Sequence, residues 1–380
     1  DRTLDYRAPP EGVAAGDWVE IRVGPRAMPG VVWGPGSGDH PPAKVRPVER
    51  PLPLPPMPEA SRAFLDRFAD YTLTPRGDAL RLATRAPGLA EPPGTRTVLR
   101  PGPVAPPRLT PARARVLDAL DAAEDPPTPA ELARAAGVSP GVVKSLLEAG
   151  ALSAAEAPRD PPYPRLDPEA APRPLSPAQA DAAATLRAAV AARAYATTLL
   201  HGVTGSGKTE VYLEAVAECL RAGRQALILL PEIALTDAFL DRFRARFGAL
   251  PAEWHSAVGA KDRRRCWRAV AEGQARVVAG ARSALFLPFA DLGLVVVDEE
   301  HDGAYKQEDG ALYHARDMGV LRAAASGAAV VLASATPSLE SWANVEAGKY
   351  ARLDLPERYG PAVLPDLRAV DLRREAPEKG

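Results

Sequence analysis

Short apolar runs alternate with helical patterns over residues 181–355. The runs lie at residues 196–200, 226–230, 275–278, 294–297 and 329–332. Uninterrupted apolar strands that are separated by helices are typical of a parallel sheet with both faces covered. This half of the chain is therefore predicted to fold as an α/β domain around a parallel sheet.

The first fifty residues show a different pattern. Residues 18–23 and 30–33 are short apolar runs with period-2 alternation, and Gly and Pro punctuate them. This pattern predicts a small β unit made of short strands. The Pro-rich residues 51–58 that follow indicate a connector of polyproline type.

A short helix and a linker are predicted next. Residues 59–71 carry Phe64, Leu65 and Phe68 on one face, which predicts a short amphipathic helix. Residues 87–107 are rich in Pro and Gly, and this composition predicts a linker.

Three helices are predicted between residues 110 and 155. Each start pairs a hydroxyl residue with Pro at the first helical position, at Thr110-Pro111, Thr128-Pro129 and Ser139-Pro140. Glu131 completes a capping box with Thr128, and Gly137 ends the second helix. A short helix, a Gly turn and a second helix suit a helix-turn-helix or winged helix. A three-helix packing module that touches no nucleic acid explains the pattern equally well.

Composition limits the classes of function. Of the 42 prolines, 34 lie in residues 1–180 and 8 in residues 181–380, so the two halves are built differently. The net charge is −1, which excludes overall basicity as an argument for nucleic-acid binding. Cys219 and Cys266 form no CxxC pair, so no zinc site or disulfide framework is visible, and a cytoplasmic location is expected. No apolar stretch approaches the roughly 18 residues of a membrane helix, so no membrane association is expected.

A GxxxxGK[ST] phosphate loop follows the first predicted strand of the α/β domain and precedes a helix. Its glycines let backbone N–H groups wrap phosphates at the positive end of the helix dipole. Lys208 is expected to reach the β and γ phosphates of ATP, and Thr209 to offer its hydroxyl to Mg²⁺. The residues predicted to contact the nucleotide here are Gly202, Val203, Thr204, Gly205, Ser206, Gly207, Lys208 and Thr209.

An acidic group ends a later apolar strand. Asp298 is placed to hold Mg²⁺, and Glu299 to orient and deprotonate an attacking water, so both are predicted to be catalytic together with Lys208. His301 is either a sensor of the γ phosphate or a structural histidine. Residues 334–337, Ser-Ala-Thr-Pro, follow the next strand and either report the phosphate state to bound DNA or form an ordinary turn.

Six motifs in this order resemble the PriA family of superfamily 2 helicases, which restart replication. They are GVTGSGKTE (202–210), LLPEIALT (229–236), GARSALF (280–286), DEEH (298–301), YHARD (313–317) and SATPS (334–338). The resemblance implies an α/β fold in which a RecA-like parallel-sheet helicase lobe is preceded by a small β-rich DNA-binding domain and a winged-helix module. It implies the N-terminal portion of such a protein, with a second lobe and a zinc-binding insertion expected only downstream.

The resemblance also implies a division of the chain. A β-rich domain that binds a 3′ DNA end, with its linker, is expected over residues 1–107 and a winged-helix-like module over 108–157. A Pro-rich linker is expected over 158–177 and the first helicase lobe, a P-loop ATPase, over 178–355. Residues 356–380 are expected to be a tail that starts the downstream region.

Further site residues are carried over by position from the family. Gln179, in Leu-Ser-Pro-Ala-Gln, matches the glutamine that reads adenine. Arg282 matches a contact with phosphates of the tracked strand, although Ala281 stands where the family usually has Thr. The positions that match the family's pocket for a nascent-strand 3′ end are Asp5, Gly24 and Lys44.

Two segments have open interpretations. Residues 302–313 match the family's aromatic-rich loop, in which rings stack on bases. Tyr305 and Tyr313 are present, but Ala311 replaces an expected Trp. Both tyrosines are predicted to contact DNA, with packing against the sheet as the alternative. The basic run 261–268 is either a solvated face or a phosphate contact.

The function implied is an ATP- and Mg²⁺-dependent 3′ to 5′ DNA helicase of the primosome that recognises stalled or repaired replication forks and restarts replication. Branched and single-stranded DNA are the expected partners, and by resemblance so are single-stranded DNA-binding protein and other primosome proteins. The chain by itself is expected to be inactive in unwinding, because motors of this class need a second lobe. Another superfamily 2 translocase and a non-catalytic DNA-binding fragment are the alternatives.

Overall fold

The computed structural model describes residues 3–86, 88–89, 91, 94–106, 108–123, 125–160, 162–170, 173–231 and 236–358. The chain forms two compact units. The first comprises residues 1–51, 55–87 and 164–380, and the second comprises residues 52–54 and 88–163. None of the described helices is both long enough and apolar enough to cross a membrane.

The amino-terminal part of the first unit is a small antiparallel sheet followed by two helices. Its elements are β1 (Trp18–Val23), β2 (Arg26–Val31), β3 (Arg50–Pro51), α1 (Glu59–Thr72) and α2 (Arg76–Ala83). Strand β1 lies between β2 and β3. The predicted β unit and amphipathic helix are confirmed, and the predicted apolar face of α1 is buried.

The second unit contains three helices and a two-stranded antiparallel sheet. Its elements are β4 (Thr95–Pro101), α3 (Pro111–Asp121), α4 (Pro129–Ala135), α5 (Pro140–Glu148) and β5 (Leu152–Pro158). The three predicted helices are confirmed, and so is the capping box of Thr128 and Glu131. The hydroxyl of Ser139, in contrast, makes no capping hydrogen bond.

The linker predicted over 87–107 is wrong for residues 95–101. These residues form β4, which pairs with β5 along its whole length. Val98 and Leu99 are fully buried in the core of this unit. The strand tolerates its Pro because Pro101 is its last residue, where a missing N–H does not interrupt the ladder.

The carboxyl-terminal part of the first unit alternates strands and helices. Its helices are α6 (Pro177–Ala191), α7 (Lys208–Arg221), α8 (Asp237–Phe247), α9 (Ala260–Ala271), α10 (Ala315–Ser326) and α11 (Leu339–Glu346). Its strands are β6 (Ala196–Gly202), β7 (Gln225–Leu229), β8 (Ala252–Trp254), β9 (Val277–Gly280), β10 (Leu292–Asp298), β11 (Lys306–Gln307), β12 (Tyr313–His314), β13 (Ala329–Ser334) and β14 (Ala351–Leu355).

Seven of these strands form one parallel sheet in the order β14-β6-β13-β10-β7-β9-β8. The five apolar runs supply β6, β7, β9, β10 and β13, which confirms the predicted sheet. The two edge strands, β8 and β14, carry no comparable apolar run and are not predicted. The short β11 and β12 pair only with each other.

Aromatic rings join the amino-terminal helices of this unit to its sheet domain. The Phe68 ring lies 5.0 Å from Phe286 and 5.4 Å from Tyr313, measured between centroids. The Trp18 and Trp267 rings meet edge to face at 5.4 Å. Such ring pairs are favourable beyond the area they bury. Apolar ring contacts therefore join the two parts of the unit.

Candidate nucleotide site and neighbouring contacts

The parallel sheet brings three sequence motifs to one edge. The phosphate loop leaves the end of β6, Asp298 is the last residue of β10, and Ser334 is the last residue of β13. Because β13 pairs in parallel with both β6 and β10, the carboxyl ends of all three strands lie side by side. Ligands of open α/β sheets bind at this edge.

Glycines shape the phosphate loop. Gly207 precedes α7 with φ of +81°, a backbone conformation that other L residues rarely adopt. A Cβ atom on Gly202 would lie 2.5 Å from Ser206 Oγ and 2.9 Å from Leu355 Cβ, so a larger residue cannot fit there. The loop therefore depends on glycine both for its turn and for its close approach to β14.

Lys208 lies across this loop. Its Nζ atom donates a hydrogen bond to the carbonyl oxygen of Gly202 at 2.8 Å. Burial lowers the pKa of the ammonium group, and the carboxylates of Glu299 and Asp298 oppose that shift. The ammonium group is thus held beside the loop, where phosphates would meet it.

Asp298 is held by a tyrosine that sequence patterns do not single out. The Tyr212 hydroxyl donates to Asp298 Oδ2 at 2.9 Å, and Tyr212 also interacts with the Thr209 side chain. Burial raises the pKa of Asp298 to about 6. The predicted magnesium ligands Thr209 and Asp298 are therefore brought together through one buried tyrosine.

Glu299 has an unusual backbone. Its φ of +45° lies in the left-handed region, which costs energy for a residue with a Cβ. Its side chain is 42% exposed, in contrast to its buried neighbour Glu300. The strained turn after β10 thus directs one carboxylate toward solvent and the next into the core.

One cavity of about 380 Å³ gathers these groups. It is lined by Arg173, Pro174, Gln179, Thr204, Gly205, Ser206, Gly207, Lys208, Thr209, Glu210, Arg242, Asp298 and Glu299. Its volume falls in the range of small-molecule sites. The Ser206 hydroxyl is buried and makes no hydrogen bond within the part of the chain that the structure describes. An unsatisfied donor, a lysine, a hydroxyl and two carboxylates fit a triphosphate with a divalent cation.

Gln179 lines this cavity and bonds to protein at both ends of its amide. Its Oε1 accepts from the backbone N–H of Ser176 at 2.8 Å, in a capping box that begins α6. Its Nε2 donates to the carbonyl oxygen of Ser206 at 2.8 Å. The side chain therefore ties the start of α6 to the phosphate loop, and in this structure both ends of the amide are engaged with protein.

His301 and the predicted Ser-Ala-Thr-Pro turn are in direct contact. The Nδ1 atom of His301 lies 2.7 Å from Ser334 Oγ, and the Thr336 backbone N–H donates to the same oxygen at 3.1 Å. His301 is also 3.7 Å from Glu299. The acidic motif and the turn after β13 are thus one connected group.

Sequence reasoning missed the role of Glu300. Its buried carboxylate accepts hydrogen bonds from the backbone and hydroxyl of Ser338, from Ser341 Oγ at 2.9 Å and from Arg316 at 3.3 Å. Arg316 also donates to Ser338 Oγ at 2.6 Å. This cluster joins the motifs at 298–301, 313–317 and 334–338. Arg316 also pairs with the adjacent Asp317 at 2.8 Å, so the sequence carried no local signal for its contact with Glu300.

The structure bears on the two interpretations of the aromatic-rich loop. Tyr305 is 1% exposed, and its hydroxyl oxygen lies 2.6 Å from the carbonyl oxygen of Asp298 and 3.0 Å from that of Leu229, so its one proton is donated between these two acceptors. Tyr313 is 8% exposed and packs on Phe68. Neither ring is available to stack on a base in this conformation, so packing against the sheet is the interpretation that the contacts favour.

Arg282 is engaged with the same loop. Its guanidinium donates to the carbonyl oxygens of Ala304 and Lys306, at 3.1 and 2.5 Å. These bonds hold the segment that follows the acidic motif. A contact between Arg282 and a DNA phosphate stays a prediction, and it would require the side chain to leave these carbonyls.

The three residues predicted for a 3′ end lie on segments that meet at one end of the β1–β2 hairpin. Asp5 accepts hydrogen bonds from the backbone and hydroxyl of Ser37. Gly24, with φ of +60°, forms the hairpin turn, and Arg46 donates to its carbonyl oxygen at 3.3 Å. Lys44 is exposed two residues before Arg46. Their joint role in binding DNA stays a prediction.

The basic run 261–268 lies in α9, and part of it faces the core. Cys266 and Trp267 are fully buried, and the Trp267 ring donates to the Ala83 carbonyl oxygen at 2.7 Å. Arg263 donates to the carbonyl oxygens of His255 and Ser256 at 3.0 Å. The motif LLPEIALT falls partly outside the described residues, at 232–235, and Arg373 and Arg374 of the predicted tail lie outside them as well.

Comparison with known proteins matches two stretches of the chain to family models. Residues 176–345 match the DEAD/DEAH box helicase family, and residues 1–85 match the 3′ DNA-binding domain (3′BD) of PriA. The chain is 40% identical over 248 residues to the replication restart protein PriA of Bacillus subtilis, covering 65% of this chain and 31% of that protein. It is 49% identical over 178 residues to that of Rickettsia felis, covering 47% of this chain and 28% of that protein.

A solved structure is similar as well, that of RecG bound to a three-way DNA junction. The identity is 24% and the TM-score 0.39, with 50% of this chain and 25% of that chain covered.

The sheet, its phosphate loop and the acidic strand end define the class of protein, which is that of the P-loop helicase lobes. The two family-model matches and the sequence identity to the relatives above narrow this class to one family. The chain belongs to the PriA family. It spans 31% and 28% of the length of the two relatives named above.

Proposed function

We propose that this chain is the ATP-binding and fork-binding part of a 3′ to 5′ DNA helicase of the primosome. The observation that carries the proposal is the cavity that collects Lys208, Thr209, Asp298 and Glu299 at the carboxyl edge of a parallel sheet. The match of residues 1–85 to a 3′ DNA-binding domain supports the choice of DNA as the partner.

The loop and Lys208 would bind the phosphates. Backbone N–H groups at the start of α7 would bind phosphate oxygens, together with the Ser206 hydroxyl, which makes no hydrogen bond to the described residues. Lys208 would exchange the Gly202 carbonyl for a phosphate oxygen. Thr209 and Asp298 would hold Mg²⁺. When bound, that ion would neutralise charge on the phosphates during their hydrolysis.

Glu299 would act as the base. Its exposed carboxylate, beside Asp298, is placed to orient a water and to accept its proton. His301 would respond to release of the γ phosphate and would transmit this through its contact with Ser334. The turn after β13 would then pass the resulting movement to bound DNA. Release of the phosphate would thereby be linked to movement along a strand.

The amino-terminal sheet would recognise a free 3′ end at a fork. Asp5 would accept the hydrogen of the 3′-hydroxyl, while Lys44 and the Gly24 turn would border the terminal nucleotide. Single-stranded DNA-binding protein and other primosome proteins are proposed as partners on the family resemblance alone.

The test compares fork substrates in the natural full-length protein. Forks with a free 3′-hydroxyl at the branch should stimulate ATP hydrolysis and be unwound with 3′ to 5′ polarity, and a 3′-phosphate should reduce both. Equal response to the two ends would favour another superfamily 2 translocase. Absence of nucleotide binding would favour a non-catalytic DNA-binding protein.

A further inference from the structure

A buried tyrosine lies directly behind the two residues proposed to hold Mg²⁺. Tyr212 is fully buried in α7, and its hydroxyl donates to Asp298 Oδ2 at 2.9 Å. The side chain of Thr209, one helical turn earlier, makes a hydrogen bond with the same hydroxyl. Thr209 and Asp298 line the nucleotide cavity, whereas Tyr212 does not. The proposed function gives this tyrosine no task.

Packing alone does not explain the Tyr212 hydroxyl. The ring belongs to the apolar core beside the sheet, where a Phe ring would fill nearly the same space. Burying a hydroxyl costs free energy unless it is hydrogen-bonded. Tyr305 shows how another buried tyrosine is satisfied within the fold, since its hydroxyl lies near two backbone carbonyl oxygens. The partners of Tyr212 are instead the side chains of the two proposed ligands.

Hydrogen-bond chemistry fixes the direction of the protons in this group. An ionised carboxylate can only accept, so the single proton of the Tyr212 hydroxyl goes to Asp298. That hydroxyl can then only accept from a further partner, and Thr209 must therefore donate its own proton to it. The Thr209 oxygen keeps its lone pairs for other partners. Because Mg²⁺ binds oxygen lone pairs, this order suits Thr209 to a cation.

The same contact limits how the Asp298 carboxylate can turn. Its Oδ2 atom accepts from Tyr212, and its Oδ1 atom accepts from the Glu299 backbone N–H at 3.1 Å. A carboxylate has about four acceptor sites, so each oxygen keeps capacity for a cation. Partners that orient metal ligands in this way typically change metal affinity by about 10–100-fold when they are removed.

We infer that Tyr212 is a positioning residue for the divalent cation, whose hydroxyl takes the Thr209 proton and holds the Asp298 carboxylate so that both ligands present lone pairs to the ion. This inference rests on the proposed function, because it assumes that the cavity binds ATP together with Mg²⁺. It gives Tyr212 no contact with the nucleotide, so its loss should affect the cation alone.

The experiment measures how much Mg²⁺ strengthens ATP binding. A fluorescent ATP analogue is titrated into the natural full-length protein with and without Mg²⁺, and the ratio of the two affinities is the coupling between cation and nucleotide. Tyr212→Phe keeps the ring and removes the hydroxyl. It should lower this ratio about tenfold and change binding without Mg²⁺ by less than about twofold. Mn²⁺ binding in the presence of ATP, followed by the paramagnetic resonance signal of the free ion, should weaken by a similar factor.

Tyr195→Phe is the matched control. The Tyr195 hydroxyl accepts from Thr197 Oγ1 at 3.1 Å at the opposite end of β6, so this variant breaks the same kind of contact away from the loop. Its ratio should stay at the wild-type value. Replacing Tyr212 by 4-aminophenylalanine keeps the ring and a donor to Asp298, so it should restore the ratio to within about threefold of wild type.

The possible outcomes separate the role of Tyr212 from the proposed function. An unchanged ratio in Tyr212→Phe, an equal loss of binding with and without Mg²⁺, a similar fall in Tyr195→Phe, or no restoration by 4-aminophenylalanine would overturn the inference. A wild type that binds no ATP analogue, or whose binding does not respond to Mg²⁺, would instead contradict the proposed function.

Discussion

The Nδ1 atom of His301 lies 2.7 Å from the Oγ atom of Ser334, which is fully buried at the end of β13. The contact joins residues 33 positions apart and links the acidic motif to the turn that leads into α11. Because the Thr336 backbone N–H donates to the same oxygen, a shift of His301 would directly displace that turn. This geometry favours the sensor interpretation of both motifs over two unrelated turns.

Replacing Ser334 by Ala tests that link. The variant leaves the His301 ring and the Thr336 N–H without their shared partner, but it leaves the phosphate loop intact. ATP affinity should change by less than about twofold, while stimulation of ATP hydrolysis by DNA should fall about tenfold in the natural full-length protein. Unchanged stimulation in a variant with wild-type Tm would show that the contact is structural only.

Substitutions of Lys208 in the phosphate loop and of Glu299, the proposed catalytic base, should separate ATP binding from ATP hydrolysis. Lys208→Ala should weaken ATP binding about tenfold or more, because the phosphates lose a charged donor. Glu299→Gln should bind ATP within about twofold of wild type but lose hydrolysis by about 10²–10⁴. Lys349→Ala, at an exposed turn, is the control for removal of a lysine. Equal ATP turnover in wild type and Glu299→Gln would remove Glu299 from its proposed role.

The Glu300 cluster should be needed for stability. Arg316→Met leaves a carboxylate that is 0% exposed without its cation, and breaking a buried pair in this way costs about 3–5 kcal/mol in the free energy of unfolding. Asp78→Asn breaks an exposed pair with Arg81 and should cost less than about 1 kcal/mol. Urea unfolding gives both values. Similar small losses in the two variants would mean that Glu300 is held well enough by Ser338 and Ser341 alone.

Asp5 either binds the 3′-hydroxyl of DNA or only stabilises its own turn, and forks with different 3′ ends distinguish these two roles. Asp5→Ala should weaken binding to forks with a free 3′-hydroxyl about tenfold, because a charged acceptor is lost, and should have little effect on forks with a 3′-phosphate. Ser37→Ala removes a donor to the same carboxylate and reports on its structural role. If Asp5→Ala and Ser37→Ala weaken both forks equally in fluorescence titrations, Asp5 only stabilises the turn.

The sequence patterns predict the centre of the sheet better than its edges. Strand β10 is nearly all Val and Leu because both of its faces are covered, and that signal is local. Strand β14 is mostly exposed because it lies at the edge of the sheet, and β4 lies in a Pro-rich stretch. Neither segment therefore shows a local apolar pattern that predicts a strand. Their strand character comes from pairing partners that are far away in sequence, β6 and β5.

The same limit applies to the site. The phosphate loop and Asp298 are recognisable because spacing within a few residues fixes their geometry. The buried position of Tyr305 cannot be recognised in this way, because its hydroxyl bonds to the carbonyl oxygen of Leu229, which lies 76 residues away in the sequence. Gln179 illustrates a further limit, because its position is predicted while its hydrogen bonds to Ser176 and Ser206 are set by how α6 begins.

A buried arginine joins α10 to α1. Arg322 Nη2 donates to Ser61 Oγ at 2.8 Å and to the Leu287 carbonyl oxygen at 3.2 Å, and the guanidinium carbon lies 5.1 Å from the centre of the Phe64 ring. Burial lowers the pKa of this side chain to about 9. No carboxylate pairs with it among the residues that the structure describes, so the Ser61 hydroxyl is its main side-chain acceptor.

Ser61→Ala should therefore cost more than the loss of an ordinary hydroxyl. In the wild-type background it leaves a buried charge short of an acceptor, which should lower the free energy of unfolding by about 1–3 kcal/mol. In the Arg322→Met background no charge is left, and the same substitution should cost less than about 0.5 kcal/mol. The double-mutant cycle, measured by urea unfolding, should thus give a coupling energy of at least about 1 kcal/mol. Equal costs in the two backgrounds would show that Leu287 and the Phe64 ring alone stabilise the guanidinium, and that α1 is held to α10 by its apolar contacts.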